Sequence, residues 1–253
     1  MLNPHLTNNV IASLKAAGIE TPELTPIRPF PQPRASMEEL TEILIASEYE
    51  NPYEDPKAVA LSAQLYIQSL GRLDQGHHQR ERERQAAELE SHTDDLLQQL
   101  QDTFNNTAKS LIKHAAPIKG AEHPATIDAR TADRHTAVAA VNTMQALTTL
   151  ENIIKAWWDL WTALGQQSYG VERGKPYTFM NPDAQQWDYL RSNPTIWEAV
   201  RNGVPLTLAD SPAHVSARYQ AMINNEHAAL EALRESKHGS YLPEGGYPQW
   251  VKG

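Results

Sequence analysis

The chain has 253 residues, with 31 acidic against 22 basic side chains, a net charge of −9 and no cysteine. That balance argues against a general nucleic-acid binder, which needs clustered Lys and Arg to meet phosphate. The missing thiols exclude disulfides, thiolate nucleophiles and Cys-ligated metal centres. The opening Met1-Leu2-Asn3-Pro4-His5 lacks the basic and apolar regions of a secretory leader. No window approaches the ~18 apolar residues of a membrane span, so a cytoplasmic product is expected, or a virion one if phage-encoded.

Alanine is abundant while Val and Ile are sparse, a bias toward helix over sheet. One punctuation device recurs at Asn3-Pro4, Asp55-Pro56, Asn181-Pro182, Asn193-Pro194 and Ser211-Pro212. The first residue can cap orphan N–H groups, and proline at the first helical position needs no donor. The first helix is predicted over 4–17, with Leu6, Val10 and Leu14 on one stripe and Gly18 as its stop. Residues 21–34 carry prolines at 22, 26, 29, 31 and 33, and so read as an extended arm. That arm is either a surface strap or a segment that docks on a neighbouring subunit.

Ser36-Met37-Glu38-Glu39 is a capping box opening a helix to about 49, with Leu40, Ile43 and Leu44 inward. A helix after Pro56 should bury Val59, Ala63, Tyr66, Ile67 and Leu70. Residues 77–115 and 125–164 then read as two long rods, joined through Pro117, Gly120 and Pro124 into an antiparallel hairpin. Leu147, Leu150, Ile154, Trp157, Trp161 and Leu164 repeat like a coiled-coil seam, broadened by Ile153, Trp158 and Leu160. The first rod answers with Leu97, Leu100, Phe104, Thr107 and Leu111. Residues 165–181 form a loop, and short helices are expected at 182–191 and 194–202, the latter stopped by Gly203. A last helix runs from Pro212, with Tyr219, Met222, Ile223, Leu230 and Leu233 inward, before an aromatic tail.

Candidate chemistry is sparse. In His77 to Arg84 the signs alternate, allowing pairs such as Arg80 with Glu83, Glu81 with Arg84 and Arg84 with Glu88, as expected of a solvated helix face. Neither Glu-x-x-His nor His-Glu-x-x-His occurs. His114, Glu122, His123, Asp128, Asp133 and His135 gather near the rod turn without a metal-specifying spacing, so no metal and no cofactor is expected. Gly170 to Pro176 lacks the spacing of a phosphate loop. Tryptophans 157, 158, 161, 187, 197 and 250 are either filler capping the hairpin base or exposed anchors for a partner.

The sequence therefore predicts an all-α fold: a long antiparallel hairpin, smaller helices packed at its base and an extended Pro-rich N-terminal arm. Three segments are expected: 1–35 as helix and arm, 36–165 as the bundle, and 166–253 as loop, short helices, C-terminal helix and tail. The expected function is non-enzymatic assembly through protein–protein contacts, with self-association and no nucleic-acid or membrane partner. Acidic, cysteine-free, long-helical chains with arms have the texture of phage or prophage virion and morphogenesis components (scaffold-like, connector or portal-associated). The expected partner-binding residues are Trp157, Trp158, Trp161, Trp250, Pro29 and Phe30. The alternatives are a helical-bundle enzyme near 165–181, using Tyr169, Glu172, Arg173, Lys175 or Tyr177, and a regulatory module capturing a partner helix.

Overall fold

The computed structural model describes residues 1–29, 35–69, 72–166, 174–190 and 192–239, and among these the fold is all-α. The helices are α1 (Thr7–Ala16), α2 (Met37–Ala46), α3 (Pro56–Ser69), α4 (Arg72–Glu90), α5 (Thr93–Ala115), α6 (Arg134–Ala163), α7 (Ala184–Leu190), α8 (Ile196–Arg201) and α9 (Pro212–Gly239). The described β-pairing is an isolated antiparallel bridge between Met180 and Leu206.

Capping chemistry explains the helix ends. Ser36 accepts a hydrogen bond from the Glu39 N–H, as a capping box requires. Asp55 accepts from Lys57, and Ser211 from His214. At Asn181-Pro182 and Asn193-Pro194 the expected caps are displaced: Asp183 caps α7 and Thr195 caps α8. Gly18 and Gly203, at φ 75° and 70°, stop α1 and α8 in the left-handed region that a Cβ disfavours.

Both rods are shorter than the sequence suggests. The first breaks at Ser91-His92: the Ser91 hydroxyl donates to the Glu88 carbonyl at 2.7 Å, and His92 leaves helical geometry at φ −100°, ψ 6°. Asp94 and Asp95 then open α5, where carboxylates complement the helix dipole. The second starts at 134, not 125, because Asp133 accepts from the His135 and Thr136 N–H groups. Between the rods, 116–133 holds two 3₁₀ turns, Ala116–Ile118 and Pro124–Thr126.

Helices α5 and α6 pack side by side and antiparallel. Trp157 shares one groove with Leu97 and Gln101, while nearer the connector Gln145 and Thr149 share another with Asn106 and Ser110. The inward stripe of α5 is Leu96, Leu100, Phe104, Ala108, Leu111 and Ala115. Leu97 and Thr107, expected in the seam, are half-buried at its rim. The stripe advances mostly by four residues, a longer period than the 3.5-residue seam of a left-handed coiled coil.

The face of α6 is too broad for one partner and takes a second in α1. The Asn3 N–H donates to the Ala163 carbonyl at 2.6 Å, and Asn152 Nδ2 donates to the Ala16 carbonyl at 3.3 Å. The short helices do not all cap the base. Trp197 of α8 donates its Nε1–H to the Glu122 carbonyl at 2.9 Å, which puts α8 on the connector between α5 and α6. The core gathers α1, the end of α4, α5, α6, α7, α8 and the start of α9. On α9, Val215 and Met222 are buried, but Leu230 is 56% exposed, against expectation. The Leu233 side chain lies outside the described ones.

Residues 20–28 run extended along the same chain, held by backbone hydrogen bonds. Gln99 accepts from the Glu20 N–H at 3.2 Å, Glu88 from Thr25 at 3.1 Å and Glu81 from Arg28 at 3.1 Å. Arg84 and Gln85 donate to the Pro26 and Thr25 carbonyls at 3.0 and 2.9 Å. An extended segment rich in proline has no backbone partners of its own, so side chains supply them. The charged run of α4 is accordingly two-faced: Arg80, Arg82 and Glu83 are solvated, while Glu81 and Arg84 clasp the arm and pair with each other at 2.9 Å.

Candidate interaction surface

Helices α2 and α3 form a satellite. They pack chiefly on each other and on the 3₁₀ turn Pro52–Glu54. Their buried apolar residues, together with Ala35 just ahead of α2, are Ala58 and Leu61, and none of the three belongs to the main core. Leu40, Ile43 and Leu44 of α2 are only half-buried.

At ~100° per residue, Ala58, Leu61 and the half-buried Leu65 share the arc of α3 that faces α2. Val59, Ala63, Tyr66 and Ile67 share the opposite arc. That stripe, expected inward, faces solvent: Val59 is 53% exposed, Tyr66 67% and Ile67 44%. Leu70, which continues it, lies outside the described residues. The physical reason is the order of packing. The small Ala58 lets α3 approach α2 through its narrower apolar arc, and the wider one is left over. Met37, Ile45, Tyr49 and Tyr53 are also exposed on this satellite.

The surroundings are acidic. Residues 36–69 hold seven carboxylates (Glu38, Glu39, Glu42, Glu48, Glu50, Glu54 and Asp55) against Lys57, so most of the chain's net charge sits here.

The tryptophans proposed as anchors sit elsewhere. Trp157 and Trp161 are buried, and their rings meet edge-on at 6.0 Å. Trp158 is half-buried, 4.9 Å from Trp157. The exposed-anchor reading of Trp157 and Trp161 therefore gives way to the filler role, since buried rings leave no surface for a partner. Pro29 is exposed at the end of the arm, whereas Phe30 and Trp250 lie outside the described residues.

Other polar clusters have structural partners. Ser13 donates to Asp159, and Lys155 donates to Ser13 at 2.9 Å, a clasp between α1 and α6. Arg218, lowered from its usual pKa by burial and opposed by Asp210, donates to the Tyr177 and Thr207 carbonyls at 3.0 and 2.9 Å. It thereby ties α9 to both of the segments that meet at the Met180–Leu206 bridge. Near the connector, His123, Asp128 and Asp133 cap local turns. Among the described residues no three His, Asp or Glu side chains gather as a metal centre would require. No described helix is long and apolar enough to cross a membrane.

In the segment considered for an enzyme site, Tyr169, Glu172 and Arg173 lie outside the described residues. Lys175 is exposed, and Tyr177 is buried between Trp187 and Tyr219, with ring centroids 5.1 and 5.6 Å away. The sequence did carry the signal for the α3 surface: Val59, Ala63, Tyr66 and Leu70 are spaced 4, 3 and 4 along a nearly uncharged helix. Only the assumption that such a stripe is always internal hid it. No protein-family model, curated protein or solved structure matches this chain, so the reading of its surface rests on its own geometry.

Proposed function

We propose that the protein is a non-enzymatic assembly or adaptor component that works by protein–protein contact, with the α3 stripe as its docking surface. The observation that carries this is an apolar face of Val59, Tyr66 and Ile67, more than two-fifths exposed at each residue. Contiguous apolar surface of this kind marks interaction sites. A short helical pair with so little buried between its members gains most of its stability from what it packs against. The finer reading is a virion or morphogenesis component of a phage or prophage, supported by the acidic, cysteine-free, helical character of the chain. Genes for other structural components beside its own would support that placement.

The test is purification from the native source under gentle conditions. The wild-type protein should retain a stoichiometric companion or self-associate, as read by light scattering and mass spectrometry. The double variant Val59→Glu/Tyr66→Glu should lose that association. A wild-type chain that stays a lone monomer over a wide concentration range refutes the reading.

A further inference from the structure

Resting on that reading, we infer that the occupant of the α3 stripe is a basic amphipathic helix of another protein. Val59, Ala63 and Tyr66 follow one another by 4 and 3 residues, the spacing that meets a partner helix running alongside. The flanking positions Ala60, Ser62 and Ser69 are small, which allows close approach without a clash. The stripe therefore recognises a helix by shape and apolar contact.

Charge selects among helices. The satellite holds seven carboxylates and a single lysine within 36–69, in a chain of net charge −9. A second copy docking face to face would bring a matching set of carboxylates, and an anionic membrane surface would be repelled likewise. A helix rimmed with Lys or Arg meets the opposite field. Glu54 ends the 3₁₀ turn that leads into α3 and accepts from Asn51 Nδ2 at 3.1 Å, so it adds its charge to the same field. The carboxylates of α2 lie one helix further away, about 10 Å, and act across roughly one Debye length. They favour encounter and exclude acidic partners, while the apolar stripe supplies the affinity.

The experiment uses the full chain and two designed helical peptides with Leu at the a and d positions, one with Lys and the other with Glu elsewhere. Fluorescence anisotropy should show the Leu/Lys peptide binding at least about tenfold more tightly than the Leu/Glu peptide, a difference of about 1.4 kcal/mol. Val59→Glu/Tyr66→Glu separates docking from mere charge attraction. It adds two negative charges at solvent-facing positions, so charge alone would strengthen Leu/Lys binding, whereas docking on the stripe predicts a loss of about tenfold or more. Circular dichroism checks that the variant keeps its helix content. Equal binding of both peptides, or undiminished Leu/Lys binding by the variant, overturns the inference. Reversible dimerisation of the wild type that the variant abolishes makes a second copy the occupant; it overturns the basic helix while leaving the assembly reading intact. A monomer that binds neither peptide and retains no companion overturns both.

Discussion

Replacing Trp157 by Ala separates core from surface quantitatively. Trp157 is 1% exposed and meets Trp158 and Trp161 edge-on, with centroids 4.9 and 6.0 Å away. A tryptophan side chain buries about 200 Å², worth about 5 kcal/mol at ~25 cal/mol per Å². The β-carbon that alanine keeps and partial collapse of the cavity reduce the loss to about 3–5 kcal/mol. For a chain of this size that lowers the melting temperature by about 10 °C. Tyr66→Ala, at a residue 67% exposed, should change stability by no more than about 0.5 kcal/mol. Urea unfolding followed by far-ultraviolet circular dichroism reads both without depending on the removed fluorophore. A loss below about 1 kcal/mol for Trp157→Ala, or above about 2 kcal/mol for Tyr66→Ala, would refute the assignment of filler and surface.

Arg218→Met strands the Tyr177 and Thr207 carbonyls that the guanidinium now satisfies, at a cost of about 2–3 kcal/mol by urea titration; no measurable loss would mean that the tie is idle. Gly18→Ala forces a Cβ into φ 75° and should destabilise by about 1 kcal/mol, where an unchanged midpoint would contradict the left-handed stop. The arm should respond to acid. The Arg28 N–H and the Arg84 guanidinium hold the Glu81 carboxyl below its ordinary range, and the Leu2 N–H and the terminal ammonium do so for Glu90. With folded pKa values depressed, their contribution is present above the ordinary glutamate value and lost as pH falls through the depressed one. Amide exchange at Leu2 and Arg28 should therefore accelerate, beyond its intrinsic pH trend, below about pH 4.5. Glu81→Gln should remove the Arg28 part of that response, and an unaltered profile in the variant would count against the clasp.

Much of the architecture was legible in local chemistry. The Ser36 cap, the Gly18 and Gly203 stops, the proline arm and the 3.6-residue stripes of α5 and α6 each follow from side chains within a few positions of one another. The break at Ser91-His92 was legible too, since Ser91-x-Thr93-Asp94-Asp95 is a stop and a start in five residues, but it was masked by the strong helical periodicity on either side.

Periodicity could say that an apolar stripe exists, though not which neighbour meets it. The arm's mate on α4 lies more than fifty residues along the chain, α8 packs on the connector and not the base, and Trp157 of α6 lines a groove with α5 and with Ala209. Each of these depends on contacts between segments distant in sequence. The same dependence governs α3: its spacing wrote an apolar face into the sequence, and the packing of Ala58 and Leu61 against α2 turned that face outward. A local pattern sets which surfaces a helix owns, while burial is a property of pairs of surfaces and is decided only when the whole chain competes for them.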